Sequence, residues 1–79
     1  MPVDDLAHLY ATQLSRVMPL VDTIDGEVYL LAPAQGYTDE EHRAALSSLV
    51  RGGTLRNYRY IDSKPQAAIL AVPSRSGHP

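Results

Sequence analysis

A chain of 79 residues without cysteine, phenylalanine or tryptophan has room for one domain, and by surface scaling it buries only roughly 60–65% of the surface it exposes unfolded. Disulfides and cysteine metal sites are excluded, so packing falls to Leu, Val, Ile, Ala and Tyr. The net charge is only −2, but residues 1–50 hold two basic side chains against eight acidic ones, a balance of −6, and residues 51–79 hold five basic against Asp62 alone, +4.

Asp4 or Asp5 can cap a first helix in which Leu6, Leu9, Tyr10, Leu14, Val17 and Met18 follow helical spacing, and Pro19 stops it. His8 lies off that stripe, four residues after Asp4, which fits an exposed ion pair better than a general base. Leu20–Ile24 and Glu27–Ala32 read as strands, and the Asp25-Gly26 pair between them is the residue pair of a type I′ hairpin turn. Residues 33–36 form a loop too short to hide a helix. Thr38 is then an N-cap acceptor and Glu41, three residues on, reaches back to its amide, a capping box that opens a second helix. Tyr37 and His42 can stack as a staple across it, and Asp39, Glu40 and Glu41 sit where the helix dipole favours negative charge. The helix should run to about Arg51, with Ala45, Leu46, Leu49 and Val50 on its buried face and Glu40, Arg43, Ser47 and Arg51 outside. Gly52-Gly53 supplies its left-handed C-terminal cap.

Leu55–Asp62 has β-type composition, Ser63–Gln66 holds turn residues and Ala67–Val72 is a continuous apolar strand. The second half thus repeats the first as helix, strand, strand, with the echoes Ile24-Asp25 and Ile61-Asp62 before the turns and Leu31-Ala32-Pro33 and Ala71-Val72-Pro73 at the strand exits. The expected fold is α+β: αββαββ, a four-stranded, mainly antiparallel sheet with two helices on one face. Residues 1–73 form a single domain, and 74–79 a mobile tail. Alternation aims Val28, Leu30 and Ala32 inward and Glu27, Tyr29 and Leu31 outward. The last strand puts Ile69 on one face and Leu70 and Val72 on the other, so both sides of the sheet want cover, and two helices cover only one. That leaves either a strand shielded by long neighbours or a surface for a partner or a homodimer. A winged helix is disfavoured, because no helix precedes the second one closely and its first turn is acidic.

No nucleophile has an identifiable base, no glycine-rich loop follows a strand, and Asp39, Glu40, Glu41 and His42 fan around the helix instead of pairing at i, i+4. No enzyme activity, metal or cofactor is expected. Binding chemistry is concentrated in Arg51, Arg56, Tyr58, Arg59, Tyr60 and Lys64. On a regular strand Arg56, Tyr58, Tyr60 and Asp62 share one face and Leu55, Asn57, Arg59 and Ile61 the other, which splits the basic residues and weakens the case for an RNA-reading sheet. Tyr and Arg are equally the anchors of protein interfaces. Tyr29, Asp39 and Glu40 complete the candidate partner-binding set.

One cysteine-free domain of fewer than 100 residues, with segregated charge and no catalytic motif, resembles in size and style the small phage-encoded inhibitors of the anti-CRISPR type. That resemblance implies a non-enzymatic protein that docks on a bacterial protein or ribonucleoprotein complex and blocks its nucleic-acid binding. The alternatives are a small nucleic-acid-binding module using the Arg/Tyr strand and a structural subunit of a larger assembly. No apolar run nears the roughly 20 residues that span a bilayer, and Met1–Asp5 lacks the basic start of a signal peptide, so the expected location is cytoplasmic.

Overall fold

Two helices and four strands follow one another as α1 (Pro2–Arg16), β1 (Val21–Thr23), β2 (Gly26–Leu31), α2 (Asp39–Arg51), β3 (Leu55–Tyr60) and β4 (Ile69–Pro73), in a computed structural model that describes residues 2–24, 26–65 and 67–74. This is the expected αββαββ order. Among the described residues no helix is long and apolar enough to cross a membrane.

The start of α2 is fixed by local chemistry. The Glu41 amide donates to Thr38 Oγ1 at 3.1 Å, and the Thr38 amide donates to Glu41 Oε1 at 2.8 Å, which satisfies two donors that a helix start leaves open. The Tyr37 ring meets His42 edge-on at 6.1 Å, as the staple requires. At the other end the Gly53 amide donates to the Val50 carbonyl and the Thr54 amide to the Leu49 carbonyl, a Schellman pair. The left-handed residue is Gly53, with φ +84, and Gly52 keeps a right-handed φ of −81. Thr38→Ala removes the cap acceptor and should cost about 1 kcal/mol. Equal melting midpoints for variant and parent would show that the cap does not hold this helix.

The sheet order is β1-β2-β4-β3, with every neighbouring pair antiparallel. Exchanging the two αββ halves leaves this order unchanged, and Leu30 lies opposite Leu70 where β2 meets β4. Both helices pack on one face. Leu6, Ala7 and Tyr10 of α1 and Ala45, Leu46 and Leu49 of α2 close over Leu31, Leu55, Ile69 and Ala71 of the sheet.

Several expectations are corrected here. Leu31 is fully buried and Leu30 is 42% exposed, so β2 faces the opposite way from the expected Val28-Leu30-Ala32 inward set. Both alternating sets of β2 are apolar and carry no phase information, and the phase is set by tertiary contacts instead. Gln13 of α1 donates to the Ala32 carbonyl at 2.7 Å and accepts from the Ala32 amide at 3.0 Å, pinning the strand exit to the helix, and Leu31 lies opposite the buried Ile69. The hairpin turn also shifts. Thr23 pairs with Gly26, so Gly26 belongs to β2 and not to the turn, and Asp25 lies outside the described residues. In α1, Leu9, Val17 and Met18 are exposed, because the helix ends at Arg16 and its buried line runs through Leu6, Ala7 and Tyr10. His8 is exposed. Strands β3 and β4 are trimmed to Leu55–Tyr60 and Ile69–Pro73, and the turn between them includes Ser63 at φ 60. Gln66 of that turn is outside the described residues. Of the expected mobile tail, Ser74 is tied by its amide to the Thr54 carbonyl at 3.1 Å, and 75–79 are outside the described residues.

Candidate functional site

The Arg/Tyr strand is not regular. Leu55 pairs with Pro73, but Asn57 pairs with Val72, so one extra residue is inserted in β3 and the alternation shifts phase there, as at any β-bulge. The expected division of side chains holds from Asn57 to Tyr60 and is exchanged only at Leu55 and Arg56. Leu55, Tyr58 and Tyr60 all pack with the helix-side core, whereas Arg56, Asn57 and Arg59 line a groove on the opposite side of the sheet. The bulge therefore unites two arginines that a regular strand would separate.

The tyrosines are held in the helix layer. Tyr58 Oη lies 3.3 Å from Ser47 Oγ, the Tyr58 and Tyr60 rings are 5.6 Å apart, and the Arg43 guanidinium stacks over Tyr60 at 4.9 Å, a cation–π contact. Ser47, expected to be exposed, is half-buried for this reason. Burial first, and then neighbouring Tyr58, push the Tyr60 hydroxyl up to about 12 against the opposing pull of Arg43. Neither ring is a free anchor.

On the other face Val28, Leu70 and Val72 form the apolar floor of a groove of about 440 Å³, with Thr23 at the β1 side and Arg56, Asn57 and Arg59 at the β3 side. Leu30 lies opposite Leu70 and Val21 opposite Val28, which continues the floor with two further exposed aliphatic side chains. No described residue lining the groove is acidic, and the only aromatic one among the described lining residues is Tyr58, whose ring packs with the core. Both helices are on the far side of the sheet, so among the described residues this aliphatic face is bare. It is more apolar than a sheet face turned to water usually is.

The remaining candidates do not join it. Arg51 is exposed at the end of α2, Lys64 is exposed in the β3–β4 turn, and Asp39 and Glu40 are exposed in the first turn of α2. Tyr29 faces the helix side, its hydroxyl 3.4 Å from Glu27 Oε1, and desolvation followed by the Glu27 charge raises its titration. Sequence reasoning missed Thr23, Val28, Leu30 and Asn57. The available signal was that β2 and β4 are apolar on both faces, which two helices cannot cover.

A buried polar pair lies beneath α2. His42 is fully buried, and its Nδ1 lies 2.5 Å from Tyr10 Oη. Burial pushes the Tyr10 hydroxyl up to about 12, with the Ala34 amide acting in the opposite sense. The phenol thus stays protonated and can donate to the imidazole, which leaves His42 Nε2 buried without a partner. Burial also holds the His42 pKa below its ordinary value, against the attraction of Asp39 and Glu41. A fully buried imidazole has no access to substrate, so the pair ties α1 to α2 and is not arranged as a general base. Among the described residues no three His, Cys, Asp or Glu side chains are grouped so as to hold a metal ion.

No family model matches the chain, and no curated protein or solved structure matches it either.

Proposed function

We propose that the chain is a non-enzymatic binding protein that docks on a protein partner through the bare face of its sheet. The observation that carries this reading is the aliphatic floor of Val28, Leu30, Leu70 and Val72, with an arginine-bearing wall and no covering helix among the described residues. Interfaces with an apolar centre and arginine at the margin are typical of protein recognition. The nucleic-acid reading is weaker on this geometry. Base stacking wants aromatic rings on the open surface, and Tyr58 and Tyr60 are turned to the helices.

The narrower form of the proposal is a stoichiometric inhibitor of the anti-CRISPR style, acting in the cytoplasm on a bacterial protein or ribonucleoprotein complex. The charge layout supports it. Asp4, Asp5, Asp39 and Glu40 are exposed on the helix layer, so a chain docked by its sheet presents carboxylates outward, where they repel phosphates approaching the partner.

Affinity capture from bacterial lysate, with nuclease and without it, tests the reading. The expected result is a nuclease-resistant protein captured at a saturating ratio near one to one, lost with Leu30→Glu and retained with Glu40→Gln. A second expected outcome concerns salt: single-stranded oligonucleotide binding should be negligible at physiological ionic strength. A log-log salt slope near −3, which four phosphate contacts would give, and its loss on Arg56→Ala would favour the nucleic-acid alternative.

A further inference from the structure

We infer that the outer edge of β1 receives an extended segment of a protein partner in which a basic residue stands between two apolar ones. The inference goes beyond the docking reading and is independent of it, because it concerns the edge of the sheet and not its bare face. β1 is the first strand of the order β1-β2-β4-β3 and pairs with β2 alone among the described residues. The Val28 carbonyl points towards β1, since it accepts from the Leu20 amide at 2.7 Å. Val28 lies opposite Val21, and Glu27 lies opposite Asp22. By the alternation of an antiparallel ladder, the Asp22–Glu27 pair then exchanges no backbone hydrogen bonds. The Asp22 amide and carbonyl therefore point outward, where no described strand meets them.

The two edges of the sheet are built differently. At the β3 edge a bulge breaks the register, Arg56, Asn57 and Arg59 are exposed, and the Tyr58 amide already donates to Asn57 Oδ1 at 2.8 Å. Bulges and charges of this kind are the usual protection of an edge against pairing. The β1 edge carries no basic residue, and Leu20, Val21 and Ile24 are exposed around its open backbone. Its three residues limit an added strand to a short segment and leave the position at Asp22 open.

A carboxylate pair selects the charge of the occupant. Asp22 and Glu27 are both exposed and lie directly opposite each other, in the closer of the two kinds of antiparallel pair, where like charges repel. Among the described residues Asp22 has no hydrogen-bond or ion-pair partner, and Glu27 meets only the Tyr29 hydroxyl. Thr23 and Val28 line the groove of the bare face, so by alternation both carboxylates lie on the helix side. A lysine or arginine of an added strand, directly opposite Asp22, offsets that repulsion. Its two neighbours point to the bare face beside Val21 and Thr23, where apolar side chains extend the aliphatic floor.

A second copy of this chain is the wrong occupant. Antiparallel pairing of two β1 edges about a two-fold axis at Asp22 sets Asp22 against its own counterpart, with a Glu27 on either side, and a row of like charges is destabilising. Registers shifted by two residues set Asp22 against Leu20 or Ile24 and leave the carboxylates uncompensated. A helix is the wrong shape for this edge, because its amides and carbonyls are paired within it. Only an extended chain offers both groups to the Asp22 backbone.

The test titrates the isotope-labelled full chain with capped peptides Thr-Val-X-Val-Thr, in which X is lysine, glutamate or N-methyl-lysine, and follows the amide and methyl signals by nuclear magnetic resonance. The lysine peptide should shift the Val21 methyl signals and slow hydrogen exchange at the Asp22 amide about tenfold or more at saturation. The glutamate peptide should bind about two- to fivefold more weakly. N-methylation at X removes the amide that the Asp22 carbonyl accepts from and should abolish binding. Asp22→Lys should reverse the order of the lysine and glutamate peptides. Asp22 is exposed, so this variant folds, which its melting curve verifies. No binding by any peptide, or equal binding by the N-methylated one, overturns the inference. Shifts confined to Leu30 and Leu70, with the Asp22 amide unprotected, place the peptide on the bare face, which overturns the inference and leaves the docking reading standing. Self-association of the free chain that protects the Asp22 amide identifies a second copy as the occupant and likewise overturns it.

Discussion

Leu31→Ala should lower the free energy of unfolding by about 2–5 kcal/mol, while Leu30→Ala, one position earlier on the same strand, should change it by less than about 1 kcal/mol. Leu31 is fully buried beneath the helices and Leu30 is 42% exposed on the bare face, so the first deletion leaves a cavity and the second removes atoms that water already touches. A chain of this length has a total stability on the order of 4–12 kcal/mol. The Leu31 variant should therefore be partly unfolded at 37 °C, and the Leu30 variant should melt close to the parent. Urea unfolding of the two proteins decides the matter. Reversed or equal effects would mean that the sheet presents its other face to the helices.

Acidification should produce the second large effect. His42 is fully buried and its pKa is held down chiefly by desolvation, whereas in the unfolded chain it returns to about 6.5. A depressed pKa means that the unfolded state binds the proton more readily, so this contribution is intact above pH 6.5 and is lost as pH falls below it. The loss can reach at most about 1.4 kcal/mol per pH unit and ends below the folded pKa. Tyr10 on α1 and Tyr37 before α2 contact the ring directly, and the nearby Asp39 and Glu41 carboxylates moderate the shift without reversing it. His42→Gln should melt lower than the parent at pH 7.5, because it disturbs the Tyr10 contact, and should lose less stability between pH 7.5 and 5. A parallel pH dependence in the two proteins would assign the acid sensitivity to other groups.

The elements with local chemical signatures were legible in the sequence. The Thr38–Glu41 capping box, the glycine pair after Arg51 and the αββαββ order all follow from short-range rules, and each is present in the fold. What was not legible depends on contacts across the sheet. The phase of β2 could not be read because Val28, Tyr29, Leu30 and Leu31 are all apolar or aromatic, and only the Gln13 contacts with Ala32 and the pairing with Ile69 decide it. The bulge in β3 has no glycine or proline to announce it. Strict alternation therefore separated Arg56 from Arg59 and put the tyrosines on the wrong side of the binding argument. The sequence did signal that both faces of β4 want cover, and that conflict between hydrophobic pattern and available helices was the most direct pointer to the site.

Methyl-resolved nuclear magnetic resonance of the chain with its captured partner tests the central claim most directly. Binding through the bare face predicts that the methyl signals of Val28, Leu30, Leu70 and Val72 shift or broaden at one equivalent, while those of Leu6, Leu46 and Leu49 beneath the helices stay in place. Perturbation confined to the exposed residues of α1 and α2, with the four sheet-face side chains unchanged, would contradict it.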